Sequence, residues 1–217
     1  MRTIAIGDIH GCSLALAALL EALAPQPDDR LVFMGDYIDR GSNSRGVLDL
    51  VVELSKHCQV IPLLGNHEVL LLAALAAGEP NAFWTDQCGG DETLVSYGGS
   101  LDNIPLDHID FLRSCRRHFE TEQHIFLHAN YDADKPLDQQ PDMLLFWQHI
   151  SRFIPDPHVS GKTVIVGHTP QRTGEVLNLG HLICIDTACF AGGWLTALNV
   201  DNGQIWQANR FGELRAR

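Results

Sequence analysis

Residues 3–11 read Thr-Ile-Ala-Ile-Gly-Asp-Ile-His-Gly. A short apolar run that ends in glycine predicts a strand over Thr3–Gly7, buried on both faces. The polar residues Asp8 and His10 follow at once, on a turn flanked by Gly7 and Gly11. The same design recurs twice. Arg30–Gly35 leads into Asp36-Tyr37-Ile38-Asp39-Arg40-Gly41, and Gln59–Leu64 leads into Gly65-Asn66-His67-Glu68. Between these strands the spacing changes to 3.6 residues. It predicts helices over Ser13–Leu23 (with Ser13 as a cap), Ser44–Lys56 and Glu68–Ala77. Val47, Leu48, Val51 and Leu54 would form the buried face of the second. Strand and helix in alternation imply an α/β fold with a largely parallel or mixed sheet.

The rhythm breaks at Gly78. Residues of about 79–110 are expected to form a cap-like insert of loops and short helices within one domain spanning 1–217. Trp84 and Tyr97 would line a groove there or pack the insert. Asp107–Ser114 reads as a short helix, Phe119–Glu122 and His124–Ala129 as strands, 131–142 as a loop and Asp142–Phe153 as a helix. Thr163–Gly167 and Leu182–Asp186 read as buried strands. Leu195–Val200 and Gln204–Ala208, joined by Asp201-Asn202-Gly203, are the clearest hairpin signal.

The 217 residues carry Lys+Arg 15 against Asp+Glu 27, a net charge of −12, with 45% hydrophobic residues. That balance is globular and argues against nucleic acid or an anionic membrane as partner. The six cysteines are scattered without a C-x-x-C pair, so reduced thiols in a cytoplasmic protein are expected. The first apolar run is too short for a secretory leader, and no stretch approaches a membrane span. The sequence carries no sign of oligomeric state, and a monomer is compatible with it.

In open α/β sheets, ligands bind at the carboxyl ends of the strands. Five such ends here carry carboxylates, an amide or imidazoles: Asp8 and His10, Asp36, Asn66, His128, and His168. Carboxylate with imidazole suits Mn, Fe and Zn. Asp36 has two oxygens and could bridge two ions, with Asp8 and His10 on one and Asn66, His128 and His168 on the other. Two ions ~3.5–4 Å apart form a clamp for in-line displacement at phosphorus. A bridging water would then be the nucleophile. His67 could protonate the leaving oxygen, Asp39 could orient His67, and Arg40 could bind phosphate oxygens. Two divalent ions and Arg40 would make this spot locally positive within an acidic chain.

These blocks resemble the calcineurin-like metallophosphoesterases, and within them the phosphoprotein phosphatases of the compact bacterial and phage lambda type. Gly7–Gly11, Gly35–Gly41 and Gly65–Glu68 match the family's three signatures, and His128 and His168 fall in its later histidine blocks. The resemblance implies two packed mixed β-sheets flanked by α-helices, in place of an open sheet. It implies the same sharing of ligands: Asp8, His10 and Asp36 on one ion, and Asp36, Asn66, His128 and His168 on the other. His67, Asp39 and Arg40 become the catalytic residues. The cofactor implied is a pair of divalent ions, Mn first, with Fe or Zn as alternatives. The activity implied is hydrolysis of phosphoserine, phosphothreonine and often small aryl phosphates by a metal-bound hydroxide, so a serine/threonine or dual-specificity protein phosphatase is the first expectation.

A further phosphate-binding arginine is expected after the Phe146-Trp147 pair, where Arg152 is the nearest. The candidate substrate contacts are thus Arg40, Arg152 and Asn66. Asn130 and Ala188 depart from the family pattern. An alternative is a dinucleoside tetraphosphate pyrophosphohydrolase. That branch tends to depart from Asp39-Arg40-Gly41 and to carry Asp at the place of Glu68, so these intact residues favour the phosphatase. A catalytically silent metal-binding scaffold should have lost a ligand, and none is missing.

Overall fold

The computed structural model describes residues 1–216. Strands β1 (Thr3–Ile6), β2 (Arg30–Phe33) and β3 (Gln59–Pro62) run parallel, linked by helices α1 (Ser13–Leu23) and α2 (Ser44–Leu54). Helix α3 (Asn66–Ala77) follows β3. Next come a π-helical turn (Phe83–Gln87), α4 (Gly90–Ser96), a 3₁₀ turn (Leu101–Asn103) and α5 (Leu106–Ser114). The second half holds β4 (His118–Glu120), β5 (His124–Leu127), α6 (Asp142–Trp147), β6 (Thr163–Val166), β7 (Leu177–Asn178) and β8 (Leu182–Cys184). The hairpin β9 (Leu195–Asn199) and β10 (Ile205–Ala208) returns to pair β9 antiparallel with β1.

The strands form two five-stranded mixed sheets, ordered β10-β9-β1-β2-β3 and β4-β5-β6-β8-β7. In each, three neighbouring strands are parallel: β1, β2 and β3 in one, and β5, β6 and β8 in the other. Successive side chains in a strand point to opposite faces. Ile4 and Ile6 therefore join one core with α1 and α2, while Ala5 joins another. Leu31 and Phe33 divide from Val32 in the same way. On the second sheet, Ile125 and Leu127 pack under Leu145 and Phe146 of α6, whereas Phe126 meets Ala5 and Val32 between the sheets. Burial on both faces explains why these strands read as unbroken apolar runs. It also sets the carboxyl ends of both parallel triplets side by side.

Several sequence expectations shift. Ser13 opens α1, but Cys12 is its N-cap and gives no side-chain hydrogen bond. The Ser13 hydroxyl instead accepts from the Asn43 side chain at 2.9 Å. Helix α3 starts at Asn66, not Glu68, so Asn66 and His67 lie on its first turn. The helix expected over Asp142–Phe153 ends at Trp147, because Gln148 is extended (ψ 112°). Two anchors pull the chain out of helical geometry there. Ile150 is buried and its N–H donates to Thr169 Oγ1 at 3.0 Å, and the Asn130 amide donates to the Phe153 carbonyl at 2.9 Å. The two-residue strand β7 is too short to carry a pattern.

Candidate active site

The strand-end residues converge where the two parallel triplets meet. Five of them sit in the left-handed backbone region: His10 (φ 47°), Asp36 (52°), Asp39 (70°), Arg40 (67°) and His168 (60°). Ala188, on the loop after β8, joins them at 61°. Such conformations cost non-glycine residues free energy and gather at sites where geometry is imposed by function.

Asp36 is at the centre. His10 Nε2 lies 3.4 Å from its Oδ2, and His128 Nε2 lies 3.4 Å from its Oδ1. Both imidazoles are fixed from behind. His10 Nδ1 donates to the Ile38 carbonyl at 2.9 Å, and His128 Nδ1 donates to the Met34 carbonyl at 2.8 Å. With Nδ1 protonated, each Nε2 presents a lone pair inward. His128 Nε2 also faces Oδ1 of the Asn66 side chain at 3.0 Å, one acceptor against another. His168 closes the group, its ring centroid 4.9 Å from that of His128. His10, Asp36 and His67 form one cluster of donor atoms, and Asp36, His128 and His168 form a second.

Burial pushes His10 well below the ordinary histidine range, lowers His128, and pushes His168 down to about 3. Neutral imidazoles are the form that binds metal. Burial would raise Asp36, but the imidazoles around it hold it below its usual range. Asp8 goes the other way, raised well above the usual range by burial and then by Asp186 and Asp36.

Asp8 Oδ1 and His168 Nε2 are buried with no hydrogen-bond partner. Buried polar atoms are nearly always satisfied, so an orphaned pair at one site needs an explanation. Close backbone approach protects both carboxylates. A Cβ on Gly167 would run into Asp8 Oδ1, and one on Gly65 into Asp36 Oδ1. Carboxylate and imidazole donors gathered in this way, with unpartnered atoms among them, fit divalent cations.

Beside this centre is a second buried group. His67 Nδ1 bonds Asp39 Oδ2 at 2.7 Å, and His67 Nε2 lies 3.9 Å from Asp36 Oδ2. Burial lowers the His67 pKa, but Asp36 and Asp39 outweigh it and the net shift is upward. Asp39 is held from the segment after α3. Trp84 Nε1 donates to its Oδ2 at 2.8 Å, and the Thr93 hydroxyl donates to its Oδ1 at 2.6 Å. Trp84 is wholly buried, so it fixes Asp39 and lines no groove. Tyr97 is buried too, bonded to His108 Nδ1 at 2.8 Å. Arg40 is exposed. Its Nη1 lies 3.2 Å from His10 Nε2, and its guanidinium lies 4.9 Å from the Phe190 ring centroid.

Arg152 is not brought into this cluster by any bond. It is exposed on the turn after α6, its N–H donating to the His149 carbonyl at 3.1 Å. His149, which has no motif context in the sequence, stands nearer, with its ring 4.4 Å from that of His168. Sequence reading also passed over Asp186. It is buried at the end of β8, and burial, with Asp36, pushes it up to about 7. The strand-end rule that found the other residues covers Asp186 as well. Glu68 has a structural duty. Its carboxylate accepts from the N–H groups of Asp36 (2.8 Å), Tyr37 (2.9 Å) and Gly65 (2.9 Å), tying two site loops together. Burial and Asp36 push it up to about 8, against those three donors.

The sequence profile of the calcineurin-like phosphoesterases matches residues 1–193. A symmetrical bis(5'-nucleosyl)-tetraphosphatase of Chromohalobacter salexigens is 46% identical over 81 residues, which are 37% of this chain and 29% of that protein. The match thus spans under a third of that relative's length. Serine/threonine-protein phosphatase 1 of Salmonella typhimurium is 28% identical over 204 residues, 90% of each chain. Among solved structures, one described as a candidate diadenosine tetraphosphatase aligns with a TM-score of 0.72 at 24% identity, over 95% of this chain and 92% of its own. It supports the two-sheet fold.

Proposed function

The chain belongs to the calcineurin-like phosphoesterase family, and on that premise we propose that it hydrolyses symmetrical dinucleoside tetraphosphates into two nucleoside diphosphates. The observation that carries the hydrolytic reading is the orphaned pair, Asp8 Oδ1 and His168 Nε2, within the donor set around Asp36. Two divalent ions bound there would polarise the phosphoryl oxygens and acidify a water for attack on phosphorus. Oxygen and imidazole donors without a thiolate suit Mn first, with Fe or Zn as alternatives. His67 stands ready to give its Nε2 proton to the leaving oxygen, with Asp39 fixing its ring. Arg40 and Asn66 would hold the phosphoryl group.

The choice of substrate is supported by the tetraphosphatase relative. The intact Glu68 no longer opposes it, because its carboxylate is committed to loop N–H groups and reports on packing, not on substrate. A second reading, a serine/threonine protein phosphatase, is favoured by the Salmonella relative, which matches nearly end to end. No described helix is long and apolar enough to cross a membrane. We place the protein in the cytoplasm on its six free thiols. The deciding experiment measures kcat/KM with Mn for diadenosine tetraphosphate and for phosphoserine and phosphotyrosine peptides. A kcat/KM for the tetraphosphate at least tenfold above the best peptide is expected. A preference for a peptide of that size would overturn this reading and leave the second.

A further inference from the structure

A cleft of about 400 Å³ opens beside Arg40, between the first turn of α1 and the loop that follows β10. Phe190, Arg210 and Phe211 line it together with Arg40. We propose that it is the subsite for the distal nucleoside diphosphate, taking the base against Phe190 and Phe211 and a second phosphate on Arg210. This rests on the nucleotide reading above and names the residues that would select for it.

The cleft is continuous with the reactive centre. The Phe190 ring packs edge-on against His10 at 5.2 Å, and the Arg40 guanidinium covers Phe190. A phosphoryl group at Arg40 would therefore have the rest of its chain leading into the cleft. Its walls alternate charge and aromatic surface, the combination that binds bases and their phosphates. Arg210 lies over the Phe211 ring at 4.9 Å and donates to the Phe190 backbone carbonyl at 3.5 Å, which ties it to both sides of the cleft. Neither Arg40 nor Arg210 has a carboxylate partner among the described residues, although Arg2, Arg45, Arg117 and Arg215 do. In a chain of net charge −12, two unpaired arginines at one cleft form a local anion site. A phosphate monoester would satisfy Arg40 alone, whereas a polyphosphate also satisfies Arg210.

The rim carries exposed apolar surface as well. Phe211 is 65% exposed and Leu14 61%. Both line the same cleft. A stacked base would cover part of this surface. The volume is within the range of small-molecule sites, roughly 300–1,000 Å³.

Phe211→Ala and Arg210→Gln test the subsite. Both residues are exposed, so neither change should disturb folding. The Mn-loaded enzyme is assayed with glycerol phosphate, whose leaving group is too small to reach the cleft. ADP and inorganic phosphate serve as competing inhibitors. In either variant the inhibition constant for ADP should rise about 5- to 100-fold, the range for a lost base–aromatic stack, while that for phosphate stays. The kcat/KM for diadenosine tetraphosphate should fall by a similar factor relative to glycerol phosphate. An unchanged ADP constant, or equal change for ADP and phosphate, overturns the subsite. So does a loss confined to a phosphotyrosine peptide. If the wild type does not cleave the tetraphosphate but the ADP constants shift as expected, the subsite stands and the assigned reaction fails.

Discussion

Replacing Asp39 by asparagine should move the alkaline limb of kcat to lower pH. Asp39 is fully buried and its Oδ2 is 2.7 Å from His67 Nδ1. Burial alone would lower His67, while Asp36 and Asp39 raise it. Bound cations would offset the charge of Asp36, but Asp39 touches no proposed ligand, so its contribution persists. A hydrogen bond to a charged partner contributes about 1.5–3 kcal/mol. That contribution favours protonated His67 and is lost when the partner is neutral. His67 works protonated, so turnover of an alkyl phosphate falls as pH rises through its pKa. In Asp39→Asn that fall should begin at lower pH. Stability carries the same sign. A histidine raised by folding stabilises fully below its unfolded value of about 6.5, and loses that contribution as pH rises through the folded value. The stability gap between wild type and variant should therefore be widest below about pH 6.5 and narrow above it. The assay is kcat against pH with phosphoserine or glycerol phosphate at saturating Mn, with urea unfolding at matched pH. A limb that stays in place while stability falls would refute His67 as the acid and leave Asp39 a packing anchor only.

Four further outcomes are expected. His67→Asn should lower turnover of an alkyl phosphate by about 10²–10⁴ with metal content unchanged. The loss should be smaller for a tetraphosphate, whose leaving phosphate has a pKa of about 6 and needs less proton assistance, and steady-state kinetics on both substrates checks this. Asp36→Asn should prevent loading of a metal pair, read by elemental analysis after reconstitution with Mn. Trp84→Phe leaves the buried Asp39 one donor short and should cost about 1–3 kcal/mol, or roughly 2–4 °C of Tm per kcal/mol in a chain this size. Asp29, paired with Arg2, is held down at about 2. Asp29→Asn should cost about 1–2 kcal/mol at neutral pH, after discounting the partly exposed Arg2. That difference should vanish as pH falls from about 4 to 2, which acid titration of both proteins would show.

Much of this fold is legible because its signals are local. The runs Ile4–Ile6, Leu31–Phe33 and Val164–Val166 are buried and apolar throughout, so burial on both faces can be read from a few residues. Asp8, Asp36, Asn66, His128 and His168 stand out because each follows such a run, and the structure brings all five together. The end of α6 at Trp147 was not legible, since Thr169 and Asn130 decide it from elsewhere in the chain. Nor was the part played by Trp84, whose partner Asp39 is 45 residues away.

By itself, then, the amino-acid sequence determined the α/β architecture, the order of the strands along the chain and the donor types at their ends. These follow from patterns a few residues long. The tertiary structure decided which of those groups meet. It set the His168 N–H 2.8 Å from Asp8 across 160 residues, made Glu68 a brace for two loops, left Arg152 exposed and built a cleft from four separate segments. Such contacts depend on how two sheets pack and where the chain returns. No local periodicity encodes that, because the free energy that selects it comes from burial shared by the whole core.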